Sequence, residues 1–86
     1  METASAFGKV IRELRAEAGL SQEQLGFEAD IRRTFVSTLE LGQQQPTLMT
    51  IFKLSKALKM PASKIIELVE GKLIESHNKE ALKKIK

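Results

Sequence analysis

An 86-residue chain with 14 basic and 11 acidic side chains, no cysteine, no tryptophan and no tyrosine has room for one domain, since domains use about 50–200 residues. The lack of cysteine excludes a disulfide framework and a thiolate metal site, which suits a reducing cytoplasm. METASAFGKV has no basic region followed by a long apolar run, and nowhere do about 18 apolar residues follow one another, which argues against secretion and membrane insertion. Charge is unevenly spread: residues 1–46 hold five basic groups (Lys9, Arg12, Arg15, Arg32, Arg33) against seven acidic ones, a net of −2, whereas residues 47–86 hold nine lysines against four glutamates, a net of +5. Those lysines either serve a phosphate backbone or solubilise exposed helix faces.

In chain order, Phe7, Val10, Ile11, Leu14 and Ala18 recur at helical spacing and predict a first helix from about Ser5 to Ala18, closed by Gly19. Leu20 then packs beside Ser21, and Ser21-Gln22-Glu23-Gln24 fits a capping box, so a second helix starts at about Gln22. Leu25 and Ala29 share its inner face, and Gly26 lets another backbone come close. Asp30 tolerates a left-handed turn and Ile31 supplies an apolar plug. A third helix then turns Val36 and Leu39 inward and leaves Arg33, Thr34, Ser37 and Thr38 facing solvent. Guanidinium and hydroxyl groups on one exposed face of a short helix match the DNA major groove, where Arg bonds bidentately to guanine and Ser or Thr serves several bases.

After Gly42 the run Gln43-Gln44-Gln45-Pro46 reads as a loop. Thr47 caps a fourth helix, from about Leu48 to Leu58, with Leu48, Ile51, Phe52, Leu54, Ala57 and Leu58 as its apolar members. Pro61 opens a fifth helix carrying Ala62, Ile65, Ile66 and Val69, with Gly71 as its stop. No segment alternates with period two, so no strand is predicted. Residues 1–71 form the expected domain. Residues 72–86 form an extension, helical or frayed, in which Leu73, Ile74, Leu82 and Ile85 allow a sixth amphipathic helix.

GLSQEQLGFEADIRRTFVSTLELG, together with IRELRAEAGLSQ before it and QQQPTLMTIFKLSKALKMPASKII after it, resembles the XRE/Cro-like helix-turn-helix family of phage repressors and small bacterial regulators. The resemblance runs from about Phe7 to Ile66. Phe27 and Phe35 with Arg33-Thr34 also look like restriction-modification controller proteins. The resemblance implies an all-α, five-helix, phage-repressor-like domain in which Arg33, Thr34 and Thr38 touch bases, with Arg32 and Ser37 beside them. It also implies that Arg15 and Glu40 form an ion pair joining the first helix to the third, so Glu40 is structural.

Gln22 either completes the cap or holds a phosphate at the positive end of its helix. Relatives place phosphate contacts at the positions of Leu41 and Gln43 to Gln45; here these are apolar or neutral, which lowers the expected salt dependence. Where relatives carry Gly at the turn and a Ser or Thr cap on the third helix, this chain has Asp30 and Arg32, so Asp30 is expected to supply that cap. Phe27 and Phe35 are expected in the core or an interface rather than stacked on bases.

The reading is a cytoplasmic transcriptional regulator that binds double-stranded DNA as a homodimer on a palindromic operator. Rivals are an antitoxin or controller protein, or a protein-interaction module on the same scaffold. With His77 isolated, no phosphate-cradling Gly-rich loop and no acid pair, the chain is not expected to be an enzyme or to take a cofactor, metal or small-molecule ligand. The fifth helix and its extension offer more apolar surface than one domain can bury, which predicts an isologous contact centred on Leu68, Val69 and Leu73.

Overall fold

Hydroxyl caps set two of the helix starts. The Ser21 Oγ accepts from the Gln24 N–H at 3.0 Å while the Ser21 N–H donates to Gln24 Oε1 at 2.8 Å, and Thr47 Oγ1 accepts from the Thr50 N–H at 3.1 Å. The computed structural model of this protein describes the backbone of residues 1–85 and the side chains of residues 1–78. Its helices are α1 (Thr3–Glu17), α2 (Gln22–Ala29), α3 (Arg33–Glu40), α4 (Leu48–Ala57) and α5 (Ala62–Ile85). Among the described residues there is no strand.

The core collects the inner stripe of every helix: Phe7, Val10, Ile11 and Leu14 from α1, Leu25 and Ala29 from α2, Val36 and Leu39 from α3, Leu54 from α4, and Ile65 and Val69 from α5. Ile11, Leu25, Leu39, Leu54 and Ile65 are wholly buried; a large aliphatic side chain contributes about 1.5–3 kcal/mol on such burial. Leu20, Ile31 and Phe35 close the edges, half-buried. α1 packs on α3 and α5, α2 on α3 and α4, and α4 on α5. The α1–α3 contact is backbone to backbone: a Cβ on Gly8 would strike the Leu39 carbonyl oxygen and lie 2.7 Å from that of Glu40.

Several expectations are corrected. Ala18 lies past the end of α1 and is exposed. Leu48, Phe52 and Ile66, expected among the inward apolar residues, are exposed. Gly71 does not stop a helix; α5 runs through it, so the extension continues α5 instead of forming a sixth helix. Helix there is supported by packing on α1, where Lys72 Nζ lies 2.6 Å from Glu13 Oε1 and Val69 and Leu73 meet the core. Val69 is buried and Leu68 and Leu73 are half-buried against that core, so the three residues expected at the centre of a contact with a second copy turn to the core of the protomer, while Ile66 and Ile74 on the same helix are left exposed. The side chains of Leu82 and Ile85 lie outside the described residues.

Candidate nucleic-acid interface

α3 is eight residues long, too short to hold its shape unaided, and its position is imposed from both ends. At its start, Asp30 ends α2 in the left-handed conformation (φ 56°, ψ 47°), and the Ile31 N–H returns to the Gly26 carbonyl at 2.9 Å. The turn passes so close to α2 that a Cβ on Gly26 would stand 2.8 Å from the Ile31 carbonyl oxygen and 3.3 Å from the Arg33 nitrogen. Asp30 does not cap α3. Arg32 occupies the cap position with no side-chain hydrogen bond, and the exposed Asp30 carboxylate lies instead 3.9 Å from Lys53 Nζ. The Asp30 side chain is 97% exposed and turned toward α4, two residues before the cap position of α3.

At the other end of α3 the Arg15 guanidinium grips Glu40, Nε to Oε2 at 2.6 Å and Nη2 to Oε1 at 3.0 Å, while Nη1 donates to the Leu20 carbonyl at 3.0 Å. The Glu40 side chain is only 4% exposed and that of Arg15 18%. Donating hydrogen bonds to the Glu40 carboxylate raises the Arg15 pKa above its ordinary value, outweighing the opposing effect of desolvation. A pKa raised in the folded state adds stability at every pH below the unfolded value, so this contribution is constant across the range in which proteins fold. The ion pair implied by the family resemblance is therefore present.

With α3 so fixed, Val36 and Leu39 point into the core, and Arg33, Thr34, Ser37 and Thr38 fall within an outer arc of about 140° at the helical period. Arg33 and Thr34 are exposed, Ser37 and Thr38 half-buried. Thr38 Oγ1 donates to the Thr34 carbonyl at 2.9 Å, which leaves its lone pairs free to accept. Gln43 is exposed in the loop beyond α3.

Gln22 is the first residue of α2, and its amide donates to Glu40 Oε1 at 3.1 Å. This places it with Ser37 around a recess of about 240 Å³ that is also lined by Arg12, Arg15, Glu40 and Leu41. Arg32 stands apart, beside Gly26, Phe27, Asp30 and Ile31 in a second recess. Phe27 is 88% exposed and so not a core residue. Arg12, one helical turn before Arg15 on the α1 face that meets α3, is exposed at the rim of the first recess.

A helix-turn-helix family model matches residues 11–65, the span from the middle of α1 into α5. The chain belongs to the XRE-like helix-turn-helix family of DNA-binding transcriptional regulators. Over 53 residues this helix-turn-helix protein is 43% identical to the control protein C.BamHI of Bacillus amyloliquefaciens; the match covers 60% of this chain and 65% of that one. Its backbone resembles that of the restriction-modification controller protein C.AhdI from Aeromonas hydrophila, with a TM-score of 0.71 at 39% identity over 72% of this chain and 94% of that one. The clp gene regulator ClgR from Corynebacterium glutamicum shares the fold alone, at 19% identity, with a TM-score of 0.90 over 99% of this chain and 90% of that one.

Proposed function

We propose that this regulator reads a specific double-stranded DNA sequence through the outer arc of α3 and acts as a homodimer on a palindromic operator, in the manner of a restriction-modification controller protein. The observation that carries the proposal is the juxtaposition of Arg33, Thr34, Ser37 and Thr38 on the outer arc of a helix held at both ends. Arg33 is exposed and makes no hydrogen bond or ion pair among the described residues, so its guanidinium is available to the edge of a guanine. Thr34, Ser37 and Thr38 follow along the groove; Gln22 and Gln43 serve the backbone on either side, and Arg32 stands at the edge of the arc. Similarity to C.BamHI and C.AhdI favours the controller role among regulators of this fold.

One recognition helix covers only a few base pairs, and two-fold pairing of subunits sets two of them about 34 Å apart on one operator. The second copy is best accommodated on α4, where Leu48, Met49 and Phe52 are 68%, 67% and 56% exposed and line one recess with Lys53 and Lys56. A contact there uses none of the side chains assigned to DNA. Selecting duplexes from a random pool with the purified protein tests the reading: enrichment of an inverted repeat is expected. The exposed Phe27 favours a second reading, a polypeptide-docking surface on α2, and that reading gains if the pool yields no enriched sequence while the protein remains folded.

A further inference from the structure

We infer that Arg12, on α1, is a DNA-backbone contact that grips a phosphate beside the groove entered by α3. The inference rests on the DNA-binding reading above and adds a residue from a helix outside the helix-turn-helix. Arg12 and Arg15 are one turn apart on α1 and have opposite fates. Arg15 is turned inward and neutralised by Glu40. Arg12 is exposed and makes no hydrogen bond or ion pair among the described residues. Its neighbour Glu13 is engaged by Lys72 at 2.6 Å, and the Glu40 carboxylate across the recess is taken by Arg15 and Gln22. Arg12 thus brings a positive charge with no close partner to the rim of the recess it shares with Ser37, Gln22 and Leu41.

This rim adjoins the Ser37 side of the outer arc of α3, so a duplex docked on that arc brings a sugar-phosphate strand past it. The planar fork of a guanidinium suits two phosphate oxygens at once. Residues 1–46 carry a net charge of −2, so an uncompensated arginine here weighs heavily in the local field.

The test uses the full chain and the duplex selected as above, with binding followed by fluorescence anisotropy over a series of salt concentrations. Arg12→Ala is expected to weaken binding about tenfold on the selected duplex and on unrelated duplexes alike, and to flatten the slope of log K against log salt by about 0.9 per bound subunit. Its melting curve stays at the wild-type position, because the side chain is exposed and unpaired. Arg12→Lys keeps the wild-type slope. Replacing the flanking phosphate by a neutral methylphosphonate weakens wild-type binding but leaves Arg12→Ala unaffected.

If wild type binds selectively while Arg12→Ala binds with the same affinity and slope, the Arg12 assignment is overturned and the DNA-binding reading stands. Altered preference at one base position makes Arg12 a base contact and also overturns it, as does an Arg12→Lys slope that falls with Arg12→Ala. If wild type selects no duplex, the underlying reading fails and carries this inference with it.

Discussion

Replacing Arg15 by alanine removes two charge-assisted bonds to Glu40 and one bond to the Leu20 carbonyl, leaving a carboxylate that is 4% exposed with only the Gln22 amide at 3.1 Å. Breaking a buried ion pair from one side costs about 3–5 kcal/mol, most of it the penalty of the stranded charge. Because Arg15 is 18% exposed and Glu40 keeps one donor, the expected loss lies at the lower end, about 3 kcal/mol. For a domain of this size each kcal/mol moves the melting temperature by about 4–8 °C, so Arg15→Ala should melt about 12–24 °C lower. Glu40→Ala should cost somewhat less, since the exposed side of the guanidinium can recruit water. The double variant should then recover part of the summed loss, with a coupling of about 1–3 kcal/mol. The chain has no tryptophan, so urea and thermal unfolding are followed by helical circular dichroism. Two single losses below about 1 kcal/mol that add in the double variant would mean that the pair is an ordinary surface ion pair, and the account of how α3 is positioned would have to be abandoned.

Arg33→Ala should cost about 1–3 kcal/mol on the preferred duplex and relax selectivity at one base position; an equal loss on every duplex would make Arg33 a phosphate contact. Glycine to alanine should have opposite signs at two sites: Gly8→Ala is expected to lose about 1–3 kcal/mol against the Leu39 and Glu40 carbonyls, whereas Gly71→Ala, with nothing within 4 Å of its Cβ, should gain about 0.5–1 kcal/mol in urea unfolding. A Leu48→Glu, Phe52→Glu variant should sediment as a monomer with unchanged helical dichroism and bind the selected duplex at least about tenfold more weakly; a variant that remains dimeric moves the interface off α4.

The features legible in the sequence were those whose cause is local. Ser21 with Gln24, and Thr47, announce helix starts because the capping atoms belong to the same few residues, and Asp30 announces a turn because its side chain tolerates one. The Arg15–Glu40 pair, separated by 25 positions, carried no local signal and was reached only through the family resemblance. On α1 the spacing found Phe7, Val10, Ile11 and Leu14, but it carried no signal for the small buried residues Ala4, Ala6 and Gly8 and it extended the stripe to Ala18, which is exposed. On α4 the apolar positions cover more than one face, and spacing alone could not show that Ile51, Leu54 and Leu58 take the core side while Leu48, Met49 and Phe52 are left outside. Gly71 misled for a related reason: its intrinsic cost in a helix, about 1 kcal/mol, is smaller than what α5 gains from Val69, Leu73 and the Lys72–Glu13 pair on either side of it.

The placement of α3 links stability to function. Eight residues rise about 12 Å, and a free helix of that length is marginal in water. Here the turn after α2 pins one end through the close approach at Gly26, while α1 pins the other through Gly8 and the Arg15–Glu40 grip. Both ends are thus fixed by groups that do not belong to the outer arc, which leaves Arg33, Thr34, Ser37 and Thr38 free to be chosen for what they bind. Preorganisation matters energetically, because ordering a mobile segment on association subtracts from affinity at about 0.5–1.5 kcal/mol for each side chain immobilised. Glu40 carries an additional duty: the same carboxylate that accepts from Arg15 also accepts from Gln22, so the start of α2 and the end of α3 are tied at a single buried charge. A change at Glu40 should therefore disturb both the fold and the interface, whereas a change at Arg33 or Arg12 should disturb the interface alone.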